Sequence, residues 1–196
     1  MIPPQPLSPL LQTSLLKRRQ QLADRLEAPV ILWSGCSSPR NYPANTYPFR
    51  ASSHFLYFAG LPLEHAAIRL EQGSLELFME DEDPAAALWH GESACRSQIA
   101  AWIQAKGDYP LSALKSRATG AVSIPNQDGT THQQQIEILG RQVSIAPETE
   151  DLALAKALIE LRLIQDEAAL DQLRQAAAVT VAAHRAGMAA TRSAHT

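Results

Sequence analysis

The stretch Tyr47-Pro48-Phe49-Arg50-Ala51-Ser52-Ser53-His54-Phe55-Leu56-Tyr57-Phe58-Ala59-Gly60 holds three of the chain's four phenylalanines and two of its four tyrosines. Each such ring removes ~150–250 Å² from water when buried, so the segment belongs to a core. Pro48 and Tyr47 hold an extended lead-in. Phe55 and Tyr57 then alternate with Leu56 and Phe58. Period two predicts a strand over His54 to Ala59 with aromatics on both faces, hence a central strand of a covered sheet. Arg50, just before it, is a residue type that pairs a carboxylate at two points or caps a helix C-terminus.

Working outward, Ala66 to Glu71 and Ser74 to Met79 read as strands joined by a Gln72-Gly73 hairpin turn. Val30-Ile31-Leu32-Trp33, before Ser34-Gly35, reads as a buried strand entering a turn. From Pro39 to Pro48, three prolines and two asparagines exclude a regular element. Ser14 to Leu26 reads as a helix with Leu15, Leu22 and Leu26 inward and Arg18, Arg19, Asp24 and Arg25 in water. The first ten residues carry four prolines and predict an extended, poorly ordered leader.

Further along, Asp83-Pro84 opens a short helix. Ser93 to Lys106 is a helix closed by Gly107, and Leu111 to Ala118 is a helical piece. Val122-Ser123-Ile124 and Val143-Ser144-Ile145 flank a helix at Thr131 to Leu139, the spacing of a β-α-β unit. Thr149 caps a helix from Glu150 to Ile164, striped by Leu154, Leu158, Leu161 and Ile164. Asp166 recaps a last helix from Glu167 towards Ala190. A helix as apolar as the last one packs against a partner. Either it folds back on this domain, or its partner lies in sequence beyond this chain, in which case Leu173, Val181 and Met188 are more exposed than their types warrant.

Seventeen Lys and Arg against 20 Asp and Glu give a net charge of −3. That lacks the basic footprint of a nucleic-acid binder and argues against docking on an anionic membrane. Two cysteines, Cys36 and Cys95, support neither a disulfide framework nor a zinc knuckle. Reduced thiols and the absence of any ~20-residue apolar run suggest a cytoplasmic protein. Lys17-Arg18-Arg19 follows the first apolar residues, the reverse of a secretory signal.

Chemistry-bearing motifs are few. The six histidines form neither HxH nor HExxH. Glu80-Asp81-Glu82-Asp83 lacks the spacing of a calcium loop and reads as a solvated acidic loop. No dinucleotide, P-loop or nucleophile-elbow motif occurs. Cys36, with Arg40 four residues on, is the one candidate for a thiol of lowered pKa and a remote thiol-hydrolase reading.

The ordered set Arg18-Arg19-Gln20-Gln21-Leu22, Tyr47-Pro48-Phe49-Arg50-x-x-Ser53-x-Phe55-x-Tyr57-Phe58-x-Gly60, Leu77-Phe78, Leu88-Trp89-x-Gly91, Arg162-x-x-Gln165-Asp166, Leu173-Arg174-x-Ala176 and Ala183-His184-x-x-x-Met188 resembles the N-terminal domain of Xaa-Pro aminopeptidase (aminopeptidase P), shared in outline with creatinase and prolidase. The resemblance runs from about Leu15 to Met188. It implies an α/β fold, a mixed β-sheet flanked by helices, followed by a linker helix and the first helix of a pita-bread catalytic domain. The implied partition is a leader at 1–14, the α/β domain at 15–148, a linker helix at 149–166 and the start of a truncated catalytic domain at 167–196.

In that family two divalent ions, usually manganese, are held by two Asp, one His and two Glu, and cleave before proline. The pair generates hydroxide and polarises the carbonyl. Those ligands fall beyond this chain, so the resemblance implies no catalytic or metal-binding residue here and no activity alone. It implies a role in homo-oligomer assembly and substrate access, with the family's catalytic domain as partner and a peptide substrate only in the full assembly. Trp89 resembles a tryptophan contributed near a neighbouring subunit's active-site entrance, and Arg40 and Arg50 are candidates for the same channel. His184 resembles a recurrent histidine that is not a ligand. Gln165 and Ala169 depart from the common Lys and Glu at the linker. The alternative is a free-standing protein-binding module of the same fold, pairing with a full-length relative.

Overall fold

A computed structural model describes residues 5–83, 85, 88, 91, 93–144, 146 and 149–191. The chain forms two compact units, Met1–Leu163 and Ile164–Thr196. The first is built on a five-stranded sheet: β1 (Val30–Trp33), β2 (Ala67–Glu71), β3 (Ser74–Phe78), β4 (Gly107–Tyr109) and β5 (Val122–Ser123). Their order is β4-β3-β2-β1-β5. β2 runs antiparallel to β1 and to β3, whereas β5 runs parallel to β1 and β4 parallel to β3. This is the mixed sheet that the family resemblance implied.

The period of two sorts β1 between two cores. Val30 and Leu32 join a large cluster on one face, and Ile31 and Trp33 join a smaller one on the other. The large cluster is covered by α1 (Pro9–Ala23), α2 (Ser53–Ala59), α3 (Arg96–Trp102) and α5 (Thr149–Leu163), through Leu22, Phe55, Phe58, Ile99, Leu154, Leu158 and Leu161. The smaller is covered by a 3-10 helix (Leu111–Arg117) and α4 (Gly129–Leu139), through Leu114, Ile138 and Leu139. At the β2–β3 turn, Gln72 and Gly73 have φ of 48° and 76°, the left-handed pair that matches strand twist in a two-residue hairpin.

The aromatic stretch is a helix, not the strand its alternation predicted. Phe55, Phe58 and Ala59 are buried at helical spacing, while Leu56 is exposed. Gly60 ends α2 in the left-handed conformation, φ 77°, and its N–H bonds the Leu56 carbonyl at 2.9 Å. A Cβ there would lie 2.8 Å from the Leu15 side chain, so α1 and α2 close on the space a side chain would need.

Other boundaries move for local reasons. α1 starts at Pro9 rather than Ser14, because Ser8 accepts from the Leu11 N–H and Pro9 sits where no amide partner is needed. Residues 9–14 of the expected leader are thus helical. Arg18 and Arg19 do not face water: they are buried, Arg19 to 2% exposure. α3 is shorter than Ser93 to Lys106. Cys95 and Gln98 form its capping box, and Gly107 opens β4, where a Cβ would meet the Tyr109 ring. The helical piece expected at Leu111 to Ala118 is a 3-10 helix, Leu111–Arg117.

The β-α-β unit also lies elsewhere. Val143 and Ser144 form no strand, and Ile145 is outside the described residues. The parallel crossover is β3-α3-β4 instead. The Asp83-Pro84 helix start falls partly on residues outside those described. Leu154, Leu158 and Leu161 are buried as expected, but Ile164 lies past the end of α5 and is exposed. In the second unit, α6 (Glu167–Thr191) is capped by Asp166, whose carboxylate accepts from the Ala169 N–H at 2.9 Å. Leu173, Val181 and Met188 on α6 are 58%, 49% and 65% exposed. Among the described residues no helix is long and apolar enough to cross a membrane.

Candidate functional site

β1 and β5 end side by side, and beyond their carboxyl ends lies a cleft of about 1040 Å³. Such ends are where α/β sheets leave room for ligands, because helices cover the faces but not the strand ends. Its walls are the turn Ser34 to Ser38, the lead-in Tyr47 to Ser53 with His54, and the loop Ile124 to Gly129 with His132.

Each wall is fixed by buried hydrogen bonds. Ser34 and Ala66 bond through backbone and hydroxyl, and the Ser52 N–H donates to the Ser34 carbonyl at 2.7 Å. The Ser37 N–H donates to Glu64 at 2.6 Å. On the far wall, buried Gln135 accepts from the Asn126 N–H at 2.7 Å and donates to the Ile124 carbonyl at 3.0 Å. Asn126 donates to the Trp33 carbonyl, tying this loop to β1. Ser123 donates its N–H to buried Asp151 at 2.9 Å, and Arg141 grips both oxygens of Asp151. That charge-assisted pair raises the already high pKa of Arg141.

Cys36 and Asp128 join the two walls. The Cys36 thiol donates to Asp128 Oδ1 at 3.0 Å, its N–H to Oδ2 at 3.3 Å, and the Thr131 N–H to Oδ1 at 2.8 Å. Burial pushes the Asp128 carboxyl up, but the hydrogen bonds from Thr131 and Cys36 outweigh it and hold the carboxyl below the usual range. Burial and then the Asp128 carboxylate push the Cys36 thiol up. A nucleophilic cysteine needs a favoured thiolate, whereas the Cys36 thiol here donates to Asp128. His54 faces Arg162, whose guanidinium lies 3.3 Å from its Nδ1. Burial first, and the Arg162 charge second, lower the His54 pKa, so the ring is neutral at pH 7.

Of the three residues expected at a substrate channel, Arg50 lines the cleft and is exposed. Arg40 lies outside the lining but stacks on Tyr47, 4.6 Å from the ring centre, and Tyr47 does line it. Trp89 lies outside the described residues. His184 is exposed on α6. The sequence reading missed Asp128, Asn126 and Gln135. Asp128 carried a readable signal, a side-chain cap directly before a helix, but the helix had been started at Thr131.

The acidic run is not simply solvated. Glu80 accepts from the Leu111 N–H at the start of the 3-10 helix, and Asp81 accepts from the Arg96 N–H at 2.6 Å at the start of α3. Among the described residues no group of three or more His, Cys, Asp or Glu is placed to hold a metal ion.

The sequence profile of the aminopeptidase P N-terminal domain matches residues 15–128, which carry all five strands and the cleft's turn and lead-in. The chain belongs to the aminopeptidase P N-terminal domain family. Solved structures agree on the fold. Zinc-substituted Escherichia coli aminopeptidase P in complex with product superposes with a TM-score of 0.70 at 16% identity, over 92% of this chain and 44% of that one. The E. coli enzyme with the inhibitor Pro-Leu gives 0.66 at 17% identity, with the same coverages. Pseudomonas aeruginosa aminopeptidase PepP gives 0.56 at 19% identity, over 71% of this chain and 33% of that one. This aminopeptidase P N-terminal domain chain therefore spans less than half the length of those chains. No curated protein sequence matches it.

Proposed function

We propose that the chain serves as the N-terminal, non-catalytic part of an Xaa-Pro aminopeptidase, the class that removes an N-terminal residue preceding proline. Its role is assembly, with other copies and with a metal-binding half, and the shaping of peptide entry. The family match across residues 15–128 carries the reading. The cleft supports it, because a fixed polar wall with Arg50 on it, and Arg40 beside it, suits the guiding of a peptide. Trp89, in Leu88-Trp89-His90-Gly91, is in this reading a candidate contributed to a neighbouring subunit's active-site entrance. In this reading manganese is held by the other half of the enzyme. The setting is cytoplasmic.

Sedimentation velocity of the chain, alone and mixed with the metal-binding half of an aminopeptidase P, tests the assembly. A new, faster boundary containing both polypeptides is expected. Two independently sedimenting species at micromolar concentration contradict the proposal.

A further inference from the structure

We propose that the cleft at the carboxyl ends of β1 and β5 binds the free carboxylate end of a short peptide, paired by Arg50 at the wall and Arg40 at the rim, with the terminal side chain against Tyr47 and Phe49. The inference rests on the reading of this cleft as the peptide-facing side of the domain, and names the group it takes.

Charge decides the ligand. Arg50 and Asp128 are the only formally charged lining residues among those described, apart from histidines. Asp128 accepts from the Thr131 N–H, the Cys36 N–H and the Cys36 thiol, and among the described residues it forms no ion pair with Arg50. Arg50 has no hydrogen bond or ion pair among the described residues and is exposed to the cleft. Arg40 adds a second guanidinium, stacked on the Tyr47 ring. A planar guanidinium with no partner among the described residues, at an open cleft, suits a carboxylate, which it can bind at two points. Tyr47 and Phe49 supply an apolar wall next to that charge. The volume of about 1040 Å³ exceeds what a lone ion needs and accommodates several residues.

Isothermal titration of the full chain is the test. The probe is the tripeptide Ala-Pro-Phe with a free C-terminus, compared with its C-terminal amide. The free acid is expected to bind at least tenfold more tightly than the amide. Arg50→Gln is expected to remove at least tenfold of that affinity and to bring acid and amide binding together, and Arg50→Lys to restore only part of it. Equal binding of acid and amide, or an Arg50→Gln variant that binds as the wild type does, overturns the proposal. So does displacement of the tripeptide by equimolar inorganic phosphate, which would mark an unspecific cationic patch. N-acetyl-phenylalanine separates a peptide end from a free small acid. Binding at least tenfold weaker than the tripeptide upholds the peptide, and equal binding overturns it. Because binding is read directly on this chain, its failure is distinct from a failure to assemble with a metal-binding half.

Discussion

Arg19 is a buried cation with no carboxylate partner in its hydrogen bonds. Its guanidinium donates to the carbonyls of Phe58, Ile103 and Gln104, at the C-terminal ends of α2 and α3. Those ends carry partial negative charge, which is what compensates the burial. Burial pulls its pKa down to about 10, so it remains charged at neutral pH. Arg19→Lys is expected to destabilise the domain by about 2–3 kcal/mol in denaturant unfolding, since one ammonium cannot span three carbonyls set out for a planar fork. A loss below ~0.5 kcal/mol would contradict this role. His54 gives a pH signature. Its folded pKa is lowered from 6.5, so the unfolded chain takes up a proton first as pH falls. The stabilisation is complete above pH 6.5 and is lost as pH drops through the folded value. Unfolding midpoints from pH 8 to pH 5 should show this decline, and His54→Gln should flatten it.

At the scale of elements, the sheet was largely readable and the aromatic helix was not. Val30 to Trp33 and the Ala66–Met79 hairpin announce themselves, because buried apolar runs and a Gln72-Gly73 turn have few alternatives. Phe55 to Ala59 is too short to separate period two from period 3.6 when nearly every residue is apolar. The deciding signal was Gly60, a C-cap that no strand requires. Gly60→Ala is therefore expected to cost about 1–2 kcal/mol or more, from the positive φ and the approach of Leu15, measured by thermal unfolding. A neutral effect would mean that α2 ends differently. The cleft was legible only in part. Arg50 was marked by its place in the aromatic motif, but Cys36, Asp128 and Gln135 meet through contacts 92 and 12 residues apart, such as Cys36–Asp128 and Gln135–Ser123, which no local pattern encodes.

At the scale of the molecule, the chain holds the N-terminal domain of a metallopeptidase family in its first unit and an exposed apolar helix in its second. Asn126, Asp128 and Gln135 hold the walls of the cleft in place, and the carboxylates at 80–81 cap neighbouring elements. The proposed role leaves the chemistry to a metal-binding half and assigns this chain the shape and charge of the entrance. The most direct measurement is hydrolysis of Ala-Pro-Phe with added manganese, by the chain alone and after mixing with the metal-binding half of an aminopeptidase P. The account predicts no release of alanine above background by the chain alone, and release by the mixture at a rate well above that of the metal-binding half by itself. Steady turnover by the chain alone, or no gain on mixing, would contradict it.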